Sequence, residues 1–272
     1  MGHRGVVITA GFDKSEAATC LVELFKQKGV PVKGIIVVSP YSLRRIRFFL
    51  KKKEFSTIVE SIRRLAGFQR SISNDRSKII KQFRSERQIS IQSLKKWAKV
   101  NQAKIISVNR LNSDQAIHFL KETDPQWLVY SGGGILKEPV INQMDGRILN
   151  AHQGPLPEIR GMNAAEWSIL LDQKQEATIH LIDRGIDTGK IIKSIPYSIE
   201  ENDDIESIRE KAIIKGIEGL IEVGSKETLE MFNVRENHSE YRQCYTLSYV
   251  MKEMLQQKLK AKKKRSSGVQ KD

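Results

Sequence analysis

The chain is poor in cysteine: Cys20 and Cys244 are its only two in 272 residues, and they lie far apart. Two thiols cannot build a disulfide framework or a zinc site, so a reducing compartment is the expectation. The five histidines contain no pair at metal-ligand spacing, and no metal is expected. No apolar run approaches the length of a membrane span. The stretch "GVVITA" that follows Arg4 is too short for the core of a secretory leader. A cytoplasmic protein is expected, at most peripheral to a membrane. Acid is scarce in two places. Residues 41–100 hold 17 Lys and Arg against 4 Asp and Glu, and residues 255–272 hold 7 against 1. These two stretches exceed the net charge of +14 by themselves, so the remaining body is mildly acidic. An anionic partner should therefore meet the basic stretches and not the body.

What is present is an alternation of short apolar runs with amphipathic segments. "GVVITA" (5–10) reads as a buried strand. Asp13 or Ser15 can cap a helix over "SEAATCLVELFKQKG", in which Ala18, Leu21, Val22 and Phe25 recur at helical spacing before Gly29. "VKGIIVVS" is a second strand, completing a βαβ unit. Residues 41–100 interrupt this rhythm and read as a basic, mostly helical insertion. In it Leu43, Ile46, Phe49 and Leu50 fall near one helical face, with Arg44, Arg45, Arg47 and Lys51 around them. Such a segment suits an anionic acceptor or an anionic membrane surface, and a solvated basic face is the plain alternative. Strands follow at 103–108, 127–132 and 147–152, with a helix at 113–123. Beyond them come a helix at 163–173, strands at 177–183 and 190–199, a helical stretch at 203–231 and a basic helix at 247–265. A catalytic domain is expected over 1–225, with a helical extension over 226–272.

Three segments are unsuited to plain structure. "ILNAHQGPLPEIRG" (148–161) ends an apolar strand on Asn150 and His152, then enters a loop stiffened by Pro155 and Pro157. "DRGIDTG" (183–189) is a turn carrying Asp183 and Asp187. "SGGGIL" (131–136) could cradle a phosphate, but its glycines come late in the chain and Pro139 follows. It does not fit a dinucleotide fingerprint and reads more simply as a close backbone approach. Alone, His152 could be a structural histidine and Asp187 part of a turn. His180 falls inside an alternating strand.

Taken in order, "ILNAHQGPLPEIRG", a helix, and then "ATIHLIDRGIDTGKII" resemble the folate-dependent formyltransferase family. That family includes glycinamide ribonucleotide, methionyl-tRNA and sugar-nucleotide N-formyltransferases. The resemblance covers about residues 100–222 and, loosely, the first βαβ unit. It implies a Rossmann-like α/β domain, here with a basic helical insertion and a basic C-terminal helix. It also implies 10-formyltetrahydrofolate as co-substrate. Asn150, His152 and Asp187 become the expected catalytic set. Asn150 and His152 would donate to the oxygen that gains charge, His152 would serve as an acid favoured by Asp187, and Asp187 would hold a base or a water. Gly134, Ile135, Leu136, Ile182, Asp183, Ile186 and Asp187 would line the pterin pocket, and Arg160 with Gly161 would fix the loop after His152. Gly154 departs from the serine common in the family, and Gln153 from the usual proline. This leaves the acceptor open, with an amino-sugar nucleotide expected. A tRNA is not expected, because residues after 222 read as helical. A hydrolase using water, or an inactive basic scaffold that binds nucleic acid or membrane, are the other readings.

Overall fold

The computed structural model describes residues 3–38, 78–238, 240, 241 and 243–268. Residues 41–77 of the first basic stretch, with Arg44, Arg45 and Arg47, lie outside the described residues. Among those described, seven strands form one sheet in the order β3-β2-β1-β4-β5-β7-β8. Strands β1 (Val6–Ala10), β2 (Val32–Val38), β3 (Lys104–Val108), β4 (Trp127–Tyr130) and β5 (Ile148–His152) are parallel. Strands β7 (Glu176–Leu181) and β8 (Ile191–Pro196) continue the sheet antiparallel. A second, two-stranded sheet pairs β6 (Arg160–Gly161) with β9 (Gln243–Cys244).

The strand order reverses between β1 and β4, and the carboxyl ends of strands beside such a reversal open the crevice where α/β sheets bind ligands. Apolar residues on both sides of the central strands explain their near-continuous hydrophobic sequences. One face packs on helix α1 (Glu16–Gln27) and α7 (Ile205–Gly224), the other on α4 (Asp114–Thr123) and α5 (Glu138–Met144). Helix α1 is capped by Ser15, whose side chain accepts from Ala18 N. Asp13 serves elsewhere. Its carboxylate accepts from Ser93 Oγ and from Lys95 N at 2.8 Å each, and so anchors the start of helix α3 (Leu94–Val100).

Helices α2 (Lys78–Glu86) and α3 fall in the span expected as an insertion. Ile80, Phe83, Leu94, Trp97 and Ala98 are buried in the same cluster as α1. Residues 78–100 thus form part of the crossover by which parallel β2 reaches β3. Burying side chains the size of Leu94 or Phe83 contributes about 2 kcal/mol each.

One further expectation changed. The helix expected over 203–231 stops at Gly224, because Trp127 Nε1 and Gln126 Nε2 take the carbonyls of Lys226 and Glu227 and draw the chain onto β4. Pro139 occupies the first turn of α5, where a missing N–H costs nothing. Cys244 lies in β9, where the chain pairs with Gly161 on its way to the C-terminal helix. That helix, α8 (Tyr249–Gly268), seats Leu255 and Leu259 against Ala165 and Ile169 of α6 (Ala164–Leu170).

Candidate active site

The site begins with the two-residue period of β5 and β7. Leu149 and Ala151 turn toward α7, with Leu181 and Ile179 beside them, so Asn150, His152, His180 and Thr178 share the opposite side. Register then places Asn150 directly across from His180, and His152 across from Thr178. Glycines hold α7 close behind these strands. A Cβ at Gly216 would lie 2.8 Å from Ala151 Cβ, and one at Gly219 2.6 Å from Ile179 Cγ1.

Asp187 arrives from the loop after β7, in left-handed backbone at φ +52°. Its Oδ2 accepts from Gly161 N at 2.9 Å. Gly161 is confined to glycine: its φ is +96°, and a Cβ there would sit 2.2 Å from the carbonyl oxygen of Cys244. Arg160 Nε donates to Ile186 O at 3.0 Å, so Arg160 and Gly161 tie the loop after His152 to the loop carrying Asp187. Thr178 Oγ1 donates to Gly154 O at 2.7 Å and pins the other end of that loop. A side chain at Gly154 would meet Ala164 Cβ at 2.8 Å, which gives the departure from serine a packing cause.

Two imidazoles flank the Asp187 carboxylate, and Asn150 joins one of them. The Asn150 amide donates to His180 Nε2 at 2.9 Å. His180 Nδ1 faces the Leu181 carbonyl at 2.8 Å and so carries the hydrogen. The His152 Nε2 hydrogen is spent on the Ile159 carbonyl at 2.7 Å. His152 Nδ1 then faces Asp187 Oδ2 at 3.5 Å with a lone pair, and His180 Nε2 faces Asp187 Oδ1 at 3.7 Å. Asp187 favours the charged form of both rings, as expected for His152, but burial outweighs it. His152 is held below the ordinary histidine value, and His180 is pushed down to about 4 by burial, with the neighbouring His152 adding to the effect.

This has a consequence for stability. A folded-state pKa below the unfolded one means that the unfolded chain binds the proton more tightly. The stabilisation from neutral His180 is complete above pH 6.5 and is lost as pH falls toward about 4, a change on the order of 3 kcal/mol. Urea unfolding at several pH values in this window should show a smaller acid loss for His180→Gln than for the wild type. Equal losses would contradict the burial argument.

Asn150, His180 and Asp187 line a cavity of about 330 Å³. All seven residues expected in the pterin pocket line it too: Gly134, Ile135, Leu136, Ile182, Asp183, Ile186 and Asp187. His152 is not among its lining residues; it is 6% exposed and stands behind Asp187. The glycine loop lies over the strand-order reversal. Gly132, Gly133 and Gly134 all have positive φ, and Thr9 Oγ1 donates to Gly132 O at 2.8 Å while Tyr130 Oη donates to Gly134 O at 3.0 Å. The sequence did not single out Tyr130, Met162, Gln243 or His180 as lining residues. For His180 the alternation of "ATIHLID" was a signal, but its partner strand was not legible.

A neutral amide, a carboxylate and the imidazole of His180 on a small, largely apolar cavity are groups suited to transferring a carbonyl-type group. The formyl transferase family profile matches residues 7–223, and the chain belongs to that family. Methionyl-tRNA formyltransferase of Caldanaerobacter subterraneus subsp. tengcongensis is 31% identical over 136 residues, 49% of this chain and 43% of that protein. The chain thus matches under half the length of that relative. Among solved structures, glycinamide ribonucleotide transformylase 1 from Symbiobacterium toebii has a TM-score of 0.56 at 15% identity, over 88% of this chain and 96% of that one. An N-formyltransferase from Helicobacter canadensis, in complex with folinic acid and dTDP-3-aminofucose, has a TM-score of 0.53 at 16% identity, over 95% of this chain and 80% of that one. These likenesses establish the Rossmann-like formyltransferase fold.

Proposed function

We propose that this chain transfers the formyl group of 10-formyltetrahydrofolate to a primary amine, that of an amino-sugar nucleotide. The observation that carries the reading is the convergence of Asn150, His180 and Asp187 on the cavity lined by all seven expected folate residues. The cavity suits a flat heterocycle: Ile135, Leu136, Ile182 and Ile186 give apolar walls, and the glycine loop gives close backbone.

Asn150 spends one N–H on His180 and keeps the other for the formyl oxygen as it gains charge. Asp187 takes the proton of the attacking amine. His152, held neutral by burial with Nδ1 at 3.5 Å from Asp187, shares that proton while the carboxylate stabilises the imidazolium; as the tetrahedral intermediate collapses and the bond from the formyl carbon to the folate nitrogen breaks, the proton returns through Asp187 to that nitrogen and tetrahydrofolate leaves. His180 orients the Asn150 amide. The anionic acceptor is favoured by the basic stretches, and the Helicobacter canadensis enzyme binds a nucleotide-linked amino sugar on the same fold. Identity of 31% to a methionyl-tRNA formyltransferase keeps an aminoacyl-tRNA as the second reading.

Gly134→Val tests the placement of folate. Gly134 has open space around its Cβ direction and φ +99°, so valine there is strained and projects from the cavity wall. Gly146→Val pays a similar backbone strain at φ +73°, also in open space, but outside the cavity lining. Calorimetry should show folate affinity lowered about tenfold or more in the first variant and nearly unchanged in the second. Equal affinities would reject the placement.

A further inference from the structure

The family profile ends at residue 223, but the cavity wall does not: Gln243 of β9 lines it beside Gly161 and Met162. The chain reaches that place through a series of fastenings. Arg235 N donates to Ile191 O at 2.8 Å. Asn237 Nδ2 donates to the carbonyls of Asp187 at 2.9 Å and Gly189 at 3.0 Å. Arg160 Nη1 donates to Tyr241 O at 3.2 Å, and Met162 N to Cys244 O at 3.0 Å. Trp167 Nε1 donates to Tyr245 O at 2.8 Å, and Leu247 N to Asn163 Oδ1 at 3.3 Å.

Apart from the two from the Asn237 side chain, these bonds use the main chain of the segment. They fix its path across the two loops that carry the site and leave the side chains of Tyr241, Gln243 and Tyr245 uncommitted to them. Tyr241 and Tyr245 stand two residues to either side of Gln243 and are 48% and 67% exposed. A glutamine amide both donates and accepts, and tyrosine offers a flat face with a polar tip. The expected folate residues lie on 134–136 and 182–187, whereas Gln243 enters next to the loop that follows His152.

We infer that this C-terminal segment is the acceptor wall of the site. Gln243 hydrogen-bonds a hydroxyl or amide on the ring that bears the reacting amine, and Tyr241 and Tyr245 bracket that ring. The acceptor class is a hydroxylated ring amine, an amino sugar and not a straight-chain aminoacyl group. This inference rests on the formyl-transfer reading.

Formylation of dTDP-3-aminofucose and a panel of other amino-sugar nucleotides by the full chain tests it. Gln243→Met keeps the length without the amide, and Gln243→Ala and Tyr245→Ala serve as companions should one variant lose β9 pairing. The acceptor KM should rise about tenfold or more, the loss of one hydrogen bond, while folate affinity holds within about twofold. An unchanged acceptor KM in folded Gln243→Met and Gln243→Ala would overturn the proposal. Folate binding with no amino-sugar nucleotide formylated would also overturn it, leaving the folate reading intact. A wild type that binds no folate would remove the formyl-transfer reading and this inference with it.

Discussion

Asp187→Asn should lower turnover by about three orders of magnitude, within the range that a positioned acid or base contributes. The choice of asparagine matters. Asp187 sits at φ +52°, a left-handed conformation that asparagine tolerates far better than alanine. An asparagine Oδ1 can still accept from Gly161 N, so the tie to the loop after His152 survives. The carbonyl of residue 187 still receives the Asn237 amide. What the change removes is the negative charge and the capacity to take a proton. Folate affinity by calorimetry and the unfolding midpoint should stay close to wild type while kcat collapses. Near-normal turnover would remove Asp187 from the chemistry.

Asn150→Ala should lower kcat by about two to three orders of magnitude, the usual effect of deleting one donor to a developing oxyanion. The same deletion leaves buried His180 Nε2 without its donor, a cost to stability of about 1–2 kcal/mol. The readout is therefore kcat at saturating folate and acceptor, measured where the variant is fully folded. Combined with Asp187→Asn, the loss should be much smaller than the product of the two, because the residues act on one event. Strictly multiplicative losses would show two independent sites of action.

Much of the sheet was legible because its strands are short, apolar and bounded by glycine or polar turns. "GVVITA" and "WLVYSG" give β1 and β4 almost to the residue. The folate residues were legible only through the resemblance to a family, which supplied positions that composition could not; the structure gathers those positions on one cavity. His180 was missed for a physical reason. Period two shows which side of β7 it takes, but only the antiparallel register places it across from Asn150. The protonation logic was likewise beyond reach, since the pull of Asp187 was legible while the burial that outweighs it is a property of the packed site. Gln243 was invisible because its strand is two residues long and exists only by pairing with Arg160 and Gly161, each partner 83 positions away along the chain. Helices α2 and α3 carry so many cations that they read as appendages, although Phe83 and Trp97 mark the faces that join the core.

The most direct test of the account is the appearance of tetrahydrofolate from 10-formyltetrahydrofolate, followed by absorbance with the purified chain. It should be run without amine, with amino-sugar nucleotides and with methionyl-tRNA, and each acceptor should be checked by mass spectrometry for its N-formyl product. The account predicts little release without amine, and fast release with matching product when an amino-sugar nucleotide is present. Release at the same rate whether or not an amine is added would mean that water is the nucleophile, and would contradict formyl transfer to an amine.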